Sequence, residues 1–442
     1  MQRSSKIFLL CSPHLGTLDN WLPVVTSMSN MLNKLNFTLI IPDATIVRSF
    51  SIDNAMVKIS NNIFDEVLIH AYDDIWIKHA SVLDSMKWYQ NNHITLRLFS
   101  ILRRLSNKQF FSYFLTWVLI LLRNKIYKKK FKINYKDFKG PVHHADILLY
   151  DVHVEANRMI SNILMLFDDS NKYSLPHALT LFVHSSKPKL FNINNKDNLK
   201  VYIYTKSQSK HYDMKYDIGL DKIRIVGIPR HDIKWIETVQ NESPSLPGQF
   251  KNDNTILIFS RNATKAHLLF NKKVESVKNI KKLFIDSMGM KVVIKIHPNE
   301  KHEALSFKGS ENIYENIFGL NNYGITWIYS DLHPFALGKG KKLAISFNTG
   351  VVLDMVAMGV PCVEYIESTN NSKRNVTEFS EYGFIERASN EKELRIFVNK
   401  WLQNPNKISM LSSNTYKEFL PMIDNTSGNI ATEILHDNGI HI

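Results

Sequence analysis

Apolar residues in this chain fall into short unbroken runs separated by longer stretches of helical period. The runs stand at 7–11, 38–41, 67–70, 147–150, 180–184, 201–205 and 223–226, and again at 255–260, 292–296, 325–329, 343–346 and 362–366. They are rich in Val, Ile, Leu and Phe and show no polar alternation, so each predicted strand is buried on both faces, as in a parallel sheet. Amphipathic patterns between them predict crossover helices, among them 21–35, 268–288 and 391–402, with the longest from about 94 to 126. Between the two sets of runs, residues 241–254 have the Asn, Ser, Pro and Gly content of a linker. The pattern predicts an α/β protein of two parallel-sheet domains, residues 1–245 with a helical insertion near 94–140, and residues 255–405. No internal repeat is visible beyond these two halves.

Length points the same way, because 442 residues exceed what one core organises. With 44% hydrophobic and 22% charged residues the chain is globular and carries no low-complexity tail. Cys11 and Cys362 fall in predicted buried strands of different halves, which argues against a disulfide and for a reducing cytoplasm. No Cys/His metal spacing and no His-x-x-x-His pair occurs, so no metal is expected. The apolar run at 7–11 is too short for a signal peptide's core, so export is not expected. A net charge of +14 favours an anionic partner: nucleic acid, an acidic membrane surface or an acidic sugar nucleotide.

Candidate chemistry concentrates in the second half. Val292-Val293-Ile294-Lys295-Ile296-His297-Pro298 is a strand that Pro298 must end, leaving His297 at its carboxyl tip. Ile345-Ser346-Phe347-Asn348-Thr349-Gly350 runs from strand into a small polar turn. The short helix behind that turn carries Asp354, stops at Gly359, and gives way to a strand holding Glu364. In open α/β sheets, ligands bind beyond the carboxyl ends of strands, where loop amides and helix N-termini face them. Ser346, Asn348, Thr349 and Gly350 therefore suit a phosphate, and Asp354 lies within reach of a ribose hydroxyl. Ser260-Arg261-Asn262-Ala263-Thr264-Lys265 follows the first strand of this half; Arg261, Asn262 and Lys265 either hold the donor's phosphate or cap the loop.

In the first half, Ser12-Pro13-His14-Leu15-Gly16-Thr17-Leu18-Asp19 lacks the Gly-x-Gly-x-x-Gly spacing of a dinucleotide site. Tyr150-Asp151-Val152-His153-Val154-Glu155 sits where a strand becomes a helix. Asp151, His153 and Glu155 can reach a cleft from there; alternatively, Asp151 is a helix cap and Glu155 a first-turn carboxylate. Leu175-Pro176-His177-Ala178 reads as another exposed loop, with a structural role favoured for His177. In Gly227-Ile228-Pro229-Arg230-His231-Asp232, Arg230 is placed to neutralise a sugar carboxylate or phosphate and Asp232 to act as nucleophile or base. The alternative is an Arg–Asp pair at a domain hinge.

Lys-x-His-Pro at 295–298, a Ser-x-x-Thr-Gly turn about fifty residues on, a short helix with one carboxylate, and Gly-x-Pro-x-x-Glu at 359–364 form a combination that resembles bacterial GT-B glycosyltransferases. It looks closest to the capsule and lipopolysaccharide enzymes that use CMP-activated acidic sugars, the Kdo transferases and the sialyl- and polysialyltransferases. It is similar, more distantly, to the glycerophosphotransferases of wall teichoic acid synthesis. The resemblance covers roughly 255–405, and the Gly-x-Pro-Arg-x-Asp segment at 227–232 resembles the hinge of several such enzymes. It implies a GT-B fold of two Rossmann-like domains facing an interdomain cleft, acceptor on the first, nucleotide sugar on the second, with helices of 406–442 crossing back to the first. It also implies that His297 stabilises the departing phosphate, flanked by Lys295 and Pro298. Ser346, Asn348, Thr349 and Gly350 would add donors to that phosphate, while Asp354 or Glu364 would take ribose hydroxyls. His14, Gly16 and Asp19 would meet the acceptor. Glu155, with Asp151 nearby, is the expected acid/base, and Asp232 the nucleophile if configuration is retained, with Arg230 countering the donor's carboxylate. No cofactor is implied, the CMP-sugar being a substrate. Where many relatives carry a Ser-Ser or Ser-Thr pair, this chain has Phe347-Asn348-Thr349.

The expected function is transfer of Kdo or a related nonulosonate from its CMP donor to a surface glycan or lipid-linked acceptor. A CDP-glycerol-type glycerophosphotransferase and a non-hydrolysing sugar-nucleotide epimerase are the rival enzyme readings. A nucleic-acid-binding protein fits poorly, because basic residues gather at 123–139 and no recognition module is apparent. The apolar stretch 110–122 is short of the roughly 20 residues that span a bilayer. Followed by Lys128, Lys129 and Lys130, it suits the interface of an anionic membrane, which would make the protein peripheral on the inner face of the bacterial inner membrane. The alternative is a buried helix with a solvated basic loop.

Overall fold

In a computed structural model the apolar runs pair into two sheets, one of eight strands and one of six. The structure describes residues 5–11, 15–32, 35–47, 53–72, 75–106, 118, 146–177, 191, 193, 196, 198–263, 268–297, 300, 313–367, 377–383, 385–403, 420 and 425–442. The first sheet comprises β1 (Lys6–Leu10), β2 (Asn36–Ile41), β3 (Glu66–Tyr72), β4 (Ile75–His79), β5 (Ile147–Tyr150), β6 (Asn171–Ser174), β7 (Leu199–Ile203) and β8 (Ile223–Ile225). Their order is β4-β3-β2-β1-β5-β6-β7-β8, and only the edge strand β4 runs antiparallel to its neighbour. The second comprises β9 (Thr255–Phe259), β10 (Lys291–Lys295), β11 (Trp327–Tyr329), β12 (Ala344–Ser346), β13 (Cys362–Tyr365) and β14 (Glu386–Ala388), all parallel, in the order β11-β10-β9-β12-β13-β14. Both are doubly wound, and the strand order reverses between β1 and β5 and between β9 and β12, where such sheets open a crevice.

Burial on both faces explains the unbroken apolar runs. Ile7 and Leu9 pack into one core cluster and Phe8 and Leu10 into another on the opposite face. Ile256 and Ile258 likewise face a core apart from that of Leu257 and Phe259. The strands β4, β6 and β14 were not predicted. β6 reads Asn-Lys-Tyr-Ser, and only its place between β5 and β7 makes it a strand. The predicted strand at 180–184 lies outside the described residues. So does the 110–139 stretch, apart from Val118. Among the described residues no helix is long and apolar enough to cross a membrane.

One core runs through both domains. It takes in Leu9 and Leu39, passes along Trp235, Ile236 and Val239 of the helix Ile233–Glu242, and reaches Phe335 and Val352. The segment expected to be a linker is packed into it through Leu246 and Phe250. Lys341 fastens that segment, its Nζ donating to the carbonyls of Phe250 and Asn252 at 2.6 and 3.0 Å.

The final helix, Thr426–Asp437, lies against the helix Leu15–Met31 of the first domain, burying Ile430, Ala431, Ile434 and Leu435. Asp232 holds its start. The carboxylate accepts the amides of Thr426 (2.9 Å) and Ser427 (2.7 Å), and the Ser427 hydroxyl as well. An acidic side chain on the orphan amides of a helix start is favourable through both hydrogen bonding and the helix dipole. Asp232→Ala is expected to cost about 1–2 kcal/mol of stability. Urea unfolding measures that loss, and amide exchange should quicken across 426–437; unchanged exchange there would show that Asp232 does not hold the helix.

Candidate functional site

At the switch point of the second domain, the loops after β9 and β12 meet. Asn348 adopts a left-handed backbone (φ 51°), which Asn tolerates better than most residues, and its carbonyl accepts from Arg261 Nη1 at 2.7 Å. Arg261 thus ties the two loops together. Ser346 is fully buried, its Oγ accepting the Thr349 amide at 3.1 Å and contacting the Thr349 hydroxyl. It supports the turn from beneath instead of presenting its hydroxyl, as had been expected, to a phosphate. Gly350 starts the helix Val351–Ala357 that follows. Asn262 follows β9 beside Arg261; Lys265 and Pro298 lie outside the described residues.

His297 ends β10, and its amide donates to Glu300 Oε2 at 3.0 Å. Glu300 is held in turn by the buried Lys273 ammonium and by the Ser260 hydroxyl at 2.9 Å. The sequence reading missed both Lys273 and Glu300, since nothing in one chain's spacing shows that a helix ammonium meets a loop carboxylate. Lys295 turns away from the His297 loop toward the loop after β11, donating to the carbonyls of Asp331 and Leu332 at 3.1 and 2.8 Å.

Between the domains lies a buried ionic cluster. Gly227 has φ +83°, a turn that suits glycine, and it delivers Pro229-Arg230-His231 to the junction. Arg230 Nη1 contacts Asp19 Oδ2 at 2.7 Å and Nη2 contacts Asp354 Oδ1 at 2.9 Å. His231 Nε2 meets Asp354 Oδ1 at 2.9 Å, and His333 Nε2 meets Asp19 Oδ1 at 3.2 Å. Burial opposes ionisation of Asp19, but His333 and Arg230 outweigh it and hold the carboxyl well below the usual range. Burial likewise opposes the charge on Arg230, and Asp354 and Asp19 overcome it. Burial pushes the His231 pKa down, against the bond and charge of Asp354. Three of the expected ligand contacts are therefore partners of one another here: Arg230 pairs with Asp354 and Asp19, and both carboxylates are buried. The partner of Arg230 is not Asp232, which caps the last helix.

The first domain's carboxyl edge carries a second polar group. Asp151 is fully buried and caps the turn Val152–Ala156 by accepting the His153 amide at 2.9 Å. Its other oxygen accepts both the amide of His177 (2.9 Å) and its ring Nδ1–H (2.5 Å). Burial depresses the His177 pKa, but the bond and charge of Asp151 reverse the effect and raise it. The His177 side chain is 27% exposed, and Nδ1 being engaged leaves Nε2 for a reactant. Glu155 is buried and accepts the Tyr150 hydroxyl at 2.8 Å, so the expected acid/base carboxylate faces the protein interior. Gly16 lets the first helix approach closely, since a Cβ there would stand 3.2 Å from the His177 carbonyl. Four residues on, Asn20 Nδ2 donates to the Pro176 carbonyl at 2.9 Å. His14 lies outside the described residues. Tyr204, which donates to the same carbonyl, feels the charges of Arg230, Asp151, Asp19 and Asp354, which places the two polar groups side by side.

Two doubly wound domains joined through a hinge, with loop clusters at both switch points, define the GT-B fold. No protein-family model and no curated protein matches the chain. Solved structures do. A protein assigned as a UDP-N-acetylglucosamine 2-epimerase from Listeria monocytogenes aligns at TM-score 0.57 and 12% identity, over 100% of this chain and 98% of that one. S. aureus MnaA with UDP aligns at 0.53 and 11%, over 99% and 98%. A variant of the wall teichoic acid polymerase TagF, soaked with CDPG, aligns at 0.50 and 8%, over 99% and 89%. At these identities the likeness is one of fold.

Glu364, near the end of β13, is fully buried and accepts the Thr377 hydroxyl at 2.6 Å. Its Oε1 has no hydrogen-bond partner among the described residues. Burial raises its pKa from 4.5 to about 7, against the opposing pull of Thr377 and Arg387. The native state then holds this proton more tightly than the unfolded chain. The resulting stability is fully present below pH 4.5 and is lost as pH rises through about 7, roughly 3 kcal/mol in all. Glu364→Gln should flatten that dependence, so its melting temperature should fall less than the wild type's between pH 5 and pH 8. Equal falls would show that the carboxyl is solvated.

Proposed function

We propose that this protein is a glycosyltransferase that takes a nucleotide-activated sugar on its second domain and passes it to a hydroxyl of an acceptor held against the first. The observation that carries the reading is the Asp151–His177 pair. A buried carboxylate on Nδ1 orients the imidazole and raises its basicity, leaving Nε2 to receive a proton, an arrangement suited to a general base. His177 Nε2 takes the acceptor's hydroxyl proton as that oxygen attacks the anomeric carbon, and the bond to the donor phosphate breaks as the nucleotide leaves. One base suffices for this inverting route. No nucleophile is needed, in keeping with the capping role of Asp232. Glu155, facing Tyr150, takes no part. His297 and the turn of Asn348, Thr349 and Gly350 receive the departing phosphate.

The donor we propose is a CMP-activated acidic sugar, Kdo or a related nonulosonate, and the acceptor a bacterial surface glycan or its lipid-linked precursor. Support comes from the Lys-x-His-Pro, Ser-x-x-Thr-Gly and Gly-x-Pro-x-x-Glu segments. Proteins of this fold solved with UDP or CDPG favour a nucleotide-linked donor in general. Peripheral placement on an anionic membrane rests on the apolar and basic stretch 110–139.

CMP should stabilise the protein against heat more than UDP, GDP or CDP, by roughly 2.7 kcal/mol at a hundredfold excess over its dissociation constant. His177→Ala should lower CMP release from CMP-Kdo by about 10²–10⁴-fold while stabilisation by CMP persists. The acid limb of the wild-type rate should lie above 6.5, because Asp151 raises the His177 pKa and the base must be deprotonated; Asp151→Asn should move it down. An unmoved limb would reject His177 as the base, and a preference for UDP or CDP-glycerol would favour the epimerase or glycerophosphotransferase reading. The protein should also sediment with phosphatidylglycerol vesicles and be released by salt; indifference to lipid charge would remove the membrane assignment.

A further inference from the structure

Beside the Asp151–His177 pair stand an ammonium and two imidazoles, Lys215 with His153 and His211, that the transfer reaction does not use. His153 Nδ1 contacts the Tyr216 hydroxyl at 2.7 Å and the Lys215 ammonium at 2.9 Å. An ammonium can only donate, so Nδ1 is an acceptor and the ring proton of His153 resides on Nε2. His153 is exposed. Its ring centroid lies 5.6 Å from that of His177. The far end of the helix Lys206–Tyr216 supplies Lys215, and among the described residues no carboxylate lies within ion-pair distance of that ammonium. His211, one turn earlier, adds to the same field.

We propose that His153 and Lys215 form a subsite for an anionic group, a phosphate or a carboxylate, carried by the acceptor next to the hydroxyl that His177 deprotonates. The proposal rests on the transferase reading and extends it to the chemical class of the acceptor. The Lys215 ammonium and the exposed His153 lie beside the base, and an ammonium with no carboxylate at ion-pair distance among the described residues suits an oxyanion. The field of the unliganded cluster is consistent with this. Burial and the Lys215 charge push the His153 pKa down, and burial lowers that of Lys215, with Asp151 acting against both shifts. The Lys215 charge stands among imidazoles there, and Asp151, already bonded by His177, is the carboxylate that acts on it. An incoming anion relieves the repulsion and brings an acceptor hydroxyl within reach of His177 Nε2.

The test uses the full-length protein labelled at histidine, with the ring carbon resonances assigned by His153→Gln and His177→Gln. Inorganic phosphate and acetate are titrated in separate arms at constant ionic strength. The expected result is a saturable shift of the His153 resonance with at least one anion, weakened about tenfold or more in Lys215→Ala and largely recovered in Lys215→Arg. Stronger binding of phosphate identifies a phosphate-bearing acceptor, and stronger binding of acetate a carboxylate-bearing one. No saturable shift with either anion, or equal binding by wild type and Lys215→Ala, overturns the subsite. CMP stabilisation measured on the same sample separates the two readings. Its presence without an anion response overturns the subsite alone, and its absence tells against the transferase reading itself.

Discussion

Two carboxylates from opposite domains, Asp19 and Asp354, share one buried guanidinium, and the placement of both half-sites depends on that sharing. Buried ions lose hydration, and only close, hydrogen-bonded opposite charges make the arrangement tolerable; removal of one partner from such a set typically costs about 3–5 kcal/mol. The geometry then propagates. Asp19 lies on the helix whose Asn20 grips the Pro176 carbonyl, and His177 is the next residue in the chain. Asp354 lies on the helix that begins at the Asn348–Gly350 turn. Arg230 therefore sets the loop that carries His177 against the helix behind the Asn348–Gly350 turn.

Charge is handled differently at the two polar groups of the cleft. At the junction, Arg230 is neutralised by two carboxylates and two imidazoles complete the set, so little net field remains to attract a ligand. At the edge of the first domain the buried carboxylates Asp151 and Glu155 are bonded by His177 and Tyr150, and the Lys215 ammonium beside His153 has no carboxylate within ion-pair distance among the described residues. The arginine that spacing alone offers as an anion receptor has two carboxylate partners within the protein, whereas the proposed anion subsite rests on Lys215, which has none within ion-pair distance among the described residues.

Support beneath the donor loops follows the same logic. Glu300 accepts from the His297 amide while Lys273 and Ser260 hold it, so the His-Pro turn is fastened by an ion pair out of water. Tyr314 adds a hydroxyl bond to Ser260 at 2.5 Å. A loop tied at its backbone in this way can keep its side chain in place without a rigid element of its own.

Local pattern alone determined the α/β class and the run of parallel strands, because a strand buried on both faces must be apolar throughout, and Ile7–Leu10 or Val292–Ile294 cannot be read otherwise. It also placed the candidate chemistry at strand ends, since His297, Asn348 and Asp151 all follow apolar runs. Polar strands such as Asn171–Ser174 left no such trace; their ladder is supplied by neighbours distant in the chain. Side-chain roles were decided only by tertiary structure. Asp232 and Ser427 are 195 residues apart, and Asp19 and His333 are 314 apart, so nothing in spacing could show that one carboxylate caps a helix and the other joins a hinge. Glu155 and Asp151 differ by four residues and look equivalent in sequence. The turn between them directs Glu155 to Tyr150 in the interior and Asp151 to His177 at the surface, and a carboxylate's function follows from the partner that the fold brings to it.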